Sequence, residues 1–570
     1  MESSGPSTAN ASNEVAEILA LLRTWEESSA NNPDYDPIPL LITLAEKIER
    51  ETENYFKGDP DPFDERHPSR ADPNCALGHI LKVLFKKDNF MNKLVHDYIR
   101  ATYYSRLGIG GRDAQELNIQ ACRLMLDMLP GLEVAAVYES PINDSLVKTL
   151  FSWAENSPEP LQTYATGLLA AAMEVQEIAT NFKELNTRLV PLMLDRLRSL
   201  THSRPFSHLD QGISSRDFHT NEEVNAPFKK RLRSHHNFRG ALSNATIDTT
   251  EMNGHAEDAQ LAEARRQSID SSGMLSPPSS FNRSDASNSS WAEMEPMIVG
   301  TIPVHPLTTE TQQLFILKYL TPMGEYQEFI SHVFEKSALD LILTFISMRE
   351  SKNSRLAFES LKYLAALLCH KKFSIEFINL HGLQRLLEVP RPSMAATGVS
   401  ICFYYLAYCE DAMERVCTLP RDIISELVRY ACWLLECSHD SGRCHATMFF
   451  GLTFKFRVIL EEFDAQNGLR MLYNVMSTLD ILAEDETMRE ALNEDARCSA
   501  RQIVRHVCVA LKKYLEAHLF LRVEAIKRET MGRAAHAYAS SDGPPSRSIQ
   551  HANTVKVSKS RNTLSSRDAT

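Results

Sequence analysis

The sequence predicts an all-α fold: an armadillo/HEAT-like helical repeat array interrupted by a long disordered insert. Three observations predict it. Apolar residues recur at helical spacing through two long stretches, Leu-rich helices opening on a small residue recur at intervals near 40 residues, and a polar stretch with little to bury separates the two halves. Glycine, at 21 of 570 residues, is about half its usual share of roughly 7%, which favours helices over Gly-rich β architectures.

The elements follow in order. Residues 1–13 are polar and carry no apolar core of a signal peptide, so they read as a disordered N-terminus. Residues 14–200 form a first armadillo-like segment, with Ile38, Leu41, Ile42, Ala45 and Ile48 on one helical face. Residues 201–290 hold five Phe but no Tyr, Trp or Cys, and are dense in Ser, Asn, Asp, Arg and His. Such a stretch buries too little apolar surface to offset its ordering entropy, and is expected to be a disordered insert. Residues 291–525 form the second segment. There Phe358, Leu361, Leu364, Ala365 and Leu368 make one face, and Val504, Val507, Cys508, Leu511, Tyr514 and Leu515 another. Residues 526–570 read as a disordered tail.

The repeat unit starts at Ala121, Ala165, Ala357, Ala396 and Ala446, with successive starts on either side of the insert 39 to 50 residues apart. Gly382-Leu383 and Gly468-Leu469 open further helices 86 residues apart, about two units of the armadillo or HEAT length. Each glycine is expected to end one helix and permit the turn into the next. Pro390 and Pro392 should stop a helix, and Ser393 should cap the next, a buried helix kept thin by Ala395, Ala396 and Gly398.

Composition excludes several function classes. The net charge of −13 disfavours a nucleic-acid footprint over the whole chain. No run of about 18 apolar residues is present, so no membrane span is expected. Eleven cysteines, mostly inside apolar helical patterns, fit reduced thiols better than a disulfide framework.

Few constellations carry chemistry, and no catalytic residue or cofactor is expected. Cys437, His439, Cys444 and His445 place four potential zinc ligands within nine residues. Adjacent helical positions diverge by about 100°, and the spacing matches no standard finger, so a buried Cys and a capping His compete with a metal site. The acidic, Pro-rich stretch Lys57–Pro68 lacks EF-hand spacing, and a rigid loop that packs Phe63 is the favoured reading. Gly108-Ile109-Gly110-Gly111 has no strand before it and reads as a linker rather than a phosphate cradle. The protein-kinase signatures are missing. In the insert, Lys229, Lys230, Arg231 and Arg233 form a candidate nuclear-import cluster, and Ser268 and Ser276 are candidate phosphosites.

Longer stretches carry a resemblance. Lys57–Pro68, Ser289–Trp291, Tyr319–Gln327, Pro390–Ser400, Asp411–Cys417 and Glu436–Phe450 together closely resemble the amino-terminal armadillo-like region of the Vpr-binding protein family. These are the damage-specific-DNA-binding-protein- and cullin-4-associated factors, and the resemblance covers about 14–200 and 288–525. It implies a substrate receptor or scaffold subunit of a cullin-4 RING ubiquitin ligase, with ligase components and protein substrates as partners. No membrane and no specific nucleic acid is implied. The location implied is the nucleus, with the cytoplasm second. The family's LisH motif and WD40 propeller do not appear here, and the family pattern is expected to stop near Val523, as in a fragment or short isoform. The propeller carries the contacts to the adaptor, damage-specific DNA-binding protein 1, so that contact is not expected from these residues. The resemblance also implies an alternative, an atypical histone-directed serine/threonine kinase.

Overall fold

The structure, a computed structural model, describes residues 6–202, 302–482 and 492–539, apart from breaks at 33, 59, 65, 73, 132–136, 139–143 and 348–352. Every regular element among these residues is helical. Contacts divide the chain into two units, residues 1–513 and 514–570. In the second unit the described part is the end of the helix Glu494–Ala539.

In the first unit seven helices stack in chain order. They are α1 (Ile38–Phe56), α2 (Ala114–Met128), α3 (Leu161–Met173), α4 (Thr309–Gly324), α5 (Ser354–Leu368), α6 (Met394–Tyr408) and α7 (Asp440–Thr453). Each packs on the next. The five Ala-led segments read as repeat starts fall one apiece on α2, α3, α5, α6 and α7. These helices are apolar almost all round, the pattern of a helix enclosed by neighbours. In α3 every residue is buried except Gln162 and Ala171, and in α5 every residue except Arg355 and Lys362. More amphipathic helices, among them Asp144–Asn156, Ala338–Ile346 and Arg421–Cys437, pack against the stack.

Small residues set the spacing. A Cβ on Gly167 would lie 2.8 Å from side-chain atoms of both Leu126 on α2 and Phe315 on α4, and one on Gly398 would lie 2.9 Å from Leu361 Cβ on α5. The repeat period is visible in bonds between neighbouring units. Cys402 donates to the Leu361 carbonyl, the Tyr430 hydroxyl to the Val389 carbonyl and Gln466 to the Ser425 carbonyl, each across 41 residues. Ser393 caps α6 as expected, its hydroxyl accepting from the Ala396 amide.

The stack runs directly from α3 to α4. Tyr319 donates to Asn186 Oδ1 at 2.7 Å, and Lys336 pairs with Asp195 at 2.6 Å, so the helices on either side of residues 203–301 are fastened together. Of the expected insert 201–290, Thr201 and His202 end the helix Lys183–His202, and the rest lies outside the described residues.

Several expectations are corrected. Helix Pro6–Asn31 begins inside the expected disordered N-terminus 1–13, with Pro6 at its first position, where a missing N–H costs nothing. The last helix continues through 526–539, where Ala, Glu, Lys and Arg are good helix formers and no proline intervenes. Its buried stripe in the first unit is Ala500, Ile503, Val507 and Ala510, while Cys508 is exposed. The Gly-Leu markers also work differently from the expectation. The left-handed residues are those before the glycines, His381 (φ 59°) and Asn467 (φ 61°), and Ser337 (φ 45°) does the same before Ala338-Leu339. The glycines are required by contact instead: a Cβ at Gly382 or Gly468 would lie 2.3 Å from the ring of Phe377 or Phe463.

Candidate functional site

The feature that organises the first unit is the connection after α1. Its described residues between 57 and 67 form a strap. Asp61 Oδ1 accepts from the Phe63 amide at 3.1 Å and Asp64 Oδ1 from the Arg66 amide at 3.0 Å, two aspartate-led turns between the fixed φ angles of Pro60, Pro62 and Pro68. Arg66 is paired with Asp64 through its Nε and Nη2, at 2.8 and 2.6 Å.

The strap reaches far along the stack. Phe56, at the end of α1, lies beneath the Arg355 guanidinium on α5 at 5.6 Å, although α2, α3 and α4 stand between α1 and α5 in stacking order. Phe63 packs edge-on against Phe358 at 4.9 Å and His445 at 5.3 Å, in a cluster with Met394 of α6. Asp61 accepts from the Ser441 amide at 2.9 Å and the Ser441 hydroxyl at 2.5 Å, at the N-terminus of α7. That position favours a carboxylate, because the first amides of a helix have no partner within it. The reading of Lys57–Pro68 as a loop that packs Phe63 therefore describes what Phe63 does, but the distance it crosses was not visible in the sequence.

Between the strap and the stack lies a cavity of about 420 Å³. Its lining includes Tyr55 and Phe56 of α1, Gly167 and Ala170 of α3 and Phe315 of α4. The charged floor comes from α4 and α5: Lys318, Arg355, Glu359 and Lys362. Glu359 is 1% exposed and pairs with Arg355 at 3.1 Å and Lys362 at 3.8 Å. Burial works against its carboxylate, yet Lys362, Arg355 and Lys318 together hold it below its ordinary value. Burial pushes the Lys318 ammonium down to about 8, with Arg355 and Lys362 adding to the effect and Glu359 and Glu174 opposing it. None of these residues was singled out from the sequence. Two signals were present: a lone lysine in the apolar run Leu314–Leu320, and charges at 355, 359 and 362 on one face of an otherwise apolar helix.

The candidate metal ligands are dispersed. Cys437 ends the helix Arg421–Cys437 and is exposed, and His439 stands just before α7. Cys444 and His445 lie in the first turns of α7 and are both buried. The His445 Nδ1 is 3.1 Å from the Ser400 hydroxyl, and its ring lies against Phe63 and Tyr404. Burial, with His506 adding to it, pushes this imidazole down to about 3, so it is neutral. Burial pushes the Cys444 thiol up to about 12, away from the thiolate that a metal needs. Among the described residues no three His, Cys, Asp or Glu side chains converge as metal ligands do.

The remaining candidates lie elsewhere. Gly108–Gly111 joins the helix Tyr103–Arg106 to α2, with Gly108 and Gly111 at positive φ, and does not line the cavity. The basic cluster Lys229, Lys230, Arg231 and Arg233 and the sites Ser268 and Ser276 lie outside the described residues. All eleven cysteines are free. Among the described residues no helix is long and apolar enough to cross a membrane.

Comparison with known proteins gives three family matches in order along the chain. Residues 10–131 match the DCAF1 N-terminal domain, 156–420 the Mahjong helical domain and 504–565 the DCAF1 helical domain. The third match corrects the expectation that the family pattern stops near Val523. Protein mahjong of Drosophila melanogaster is 47% identical over 521 residues, which are 90% of this chain and 32% of that protein. The DDB1- and CUL4-associated factor homolog 1 of Caenorhabditis elegans is 37% identical over 529 residues, 90% of this chain and 30% of that protein. The protein of the same name in Arabidopsis thaliana is 33% identical over 235 residues, 39% of this chain and 12% of that protein. The chain thus spans about a third or less of the length of these relatives. With three matches in sequence and relatives that share them, the chain belongs to the DCAF1 family, the Vpr-binding protein family that its segments resemble.

Proposed function

We propose that this chain is the helical-repeat portion of a substrate receptor for a cullin-4 RING ubiquitin ligase, a scaffold that holds protein substrates or ligase components and is not the part that transfers ubiquitin. The family membership carries this reading, since relatives bear the name DDB1- and CUL4-associated factor homolog 1. The architecture supports it: a stack of buried helices offers repeated faces for protein contact, and the strap covers part of one face at α5 to α7. Phosphoryl transfer to histones, the other activity the resemblance implies, finds no favouring observation among the described residues.

The reading is tested by expressing the tagged chain in excess over the full-length receptor of the same cells. If these residues hold substrates without themselves contacting the adaptor, the excess chain takes substrates away from the ligase, so ubiquitination of receptor-dependent substrates falls. Unchanged ubiquitination, together with no ligase component or receptor substrate recovered by crosslinking, overturns the scaffold reading. The purified chain given labelled ATP and histone tests the enzyme class separately: transfer that disappears on substitution of one defined Asp or Lys would establish a kinase. We place the protein in the nucleus on the basic cluster of the insert. Replacement of Lys229, Lys230, Arg231 and Arg233 by Ala should then reduce nuclear accumulation, and an unchanged distribution returns the cluster to a solvated charge run.

A further inference from the structure

We propose that Lys318 is a nucleophilic amine in the strapped cavity, and that the site takes a small aldehyde or ketone with an aromatic or apolar body, holding it as an imine. Geometry carries the argument. Lys318 is the one charged residue in the run Leu314–Leu320 of α4, whose other members are all buried. A lysine stem usually carries its ammonium out to water or to a carboxylate. Here the side chain lines the 420 Å³ cavity and makes no hydrogen bond or ion pair among the described residues. Glu359, the carboxylate with the largest effect on it, is held by Arg355 and Lys362 of its own helix, and Glu174 acts on it more weakly, so no carboxylate among the described residues is paired with Lys318.

The walls fit such a ligand. A cavity of this size lies in the range that holds small organic molecules. The rings of Phe56, Phe315 and Tyr326 supply aromatic surface, and Gly167, Ala170 and Ala171 leave room beside it. Tyr55, Asp61, Asp64, Arg66 and His67 of the strap also line the cavity, as do Glu174 after α3 and Glu325 after α4. Of the strap's described carboxylates, Asp64 is paired with Arg66 and Asp61 is taken by Ser441, so neither serves Lys318.

The chemistry is an ordinary condensation. The neutral amine adds to the carbonyl carbon, a C–N bond forms and the carbonyl oxygen leaves as water with the two amine protons. No oxidant or reductant takes part. Arg355 and Lys362 lie close enough to act on the charge of Lys318, and they favour the alkoxide that forms on addition, while Glu359 favours the iminium that follows. With an ammonium that loses its proton near pH 8, roughly a quarter of Lys318 is neutral at pH 7.5, against about one in a thousand for an ordinary lysine.

The test uses the whole chain with benzaldehyde as probe, cyanoborohydride to trap the imine, and peptide mass mapping. Lys318 should be trapped at least about tenfold faster than exposed lysines such as Lys93 and Lys371, with a rate that rises to a plateau above about pH 8. Lys318→Arg and Lys318→Met should each lose that fast phase and keep the slow surface labelling. The map of the unsubstituted chain decides the matter even if a variant fails to fold. Trapping of Lys318 no faster than the surface lysines, or a rate still rising in parallel with theirs above pH 9, overturns the proposal.

Discussion

Replacing Phe63 by Ala should release the strap from α5 and α7 without disturbing the stack beneath it. Removing a fully buried Phe ring costs about 3–5 kcal/mol, and Phe63 is half-buried, so a cost of about 2 kcal/mol is expected. The loss falls on the edge-on contacts with Phe358 and His445, and it is local because the strap is a connection rather than a member of the stack. Global melting of a large repeat unit reports such a change poorly, since a unit of this size need not unfold in two states. Native-state hydrogen exchange reads it directly. The Ser441 amide, at the exposed start of α7, is held by Asp61 of the strap, so it exchanges when the strap opens. A cost of 2 kcal/mol corresponds to about thirty-fold faster exchange at Ser441 and within 61–64, while amides of α3 and α4 keep their rates. Asp61→Asn should give a smaller change in the same amides, because it removes the charge of the helix-end contact and leaves an acceptor. Exchange at Ser441 unchanged by Phe63→Ala would show that the ring does not hold the strap.

Other perturbations follow from the same geometry. Ala396→Leu, at a position 1% exposed beneath α5, should overpack α6 and cost about 1–3 kcal/mol, whereas Ser393→Ala should cost only about 1 kcal/mol; thermal melts that rank them in reverse would misplace α6. Gly382→Ala should lower the denaturation midpoint by driving a methyl into the Phe377 ring, while His381→Gly, at a left-handed position, should be neutral or stabilising; equal effects would refute the division of labour between the two residues. The neutral His445 gives a pH dependence. Its folded-state value near 3 lies below the ordinary 6.5, so the unfolded chain takes up the proton first; stability is fully present above pH 6.5 and is lost as pH falls from there toward 3. His67, His370 and His506 are shifted in the same direction by burial, so His445→Gln should reduce the slope of stability between pH 6.5 and 5 without abolishing it, and an unchanged slope would mean that His445 is not held neutral.

What the sequence determined by itself was local. The all-α class, the Ala-led buried helices and the Ser393 cap could be read because a helix writes its burial into a repeat of 3.6 residues, and because a cap needs only the residues beside it. Phe63 could be read as a packing residue, since one ring between prolines and aspartates has little else to do. What only the tertiary structure decided is which distant helices the connection after α1 meets, a long-range outcome that leaves no mark in any one window. The strap brings Asp61 to Ser441 across 380 residues, and the end of α1 brings Phe56 to Arg355 on α5. The tertiary structure encloses Lys318 in a cavity that its own helix could not make. It also decides against proximity in sequence: Cys444 and His445 are adjacent to each other and near Cys437 and His439, yet the turn into α7 buries one pair among rings and leaves Cys437 exposed.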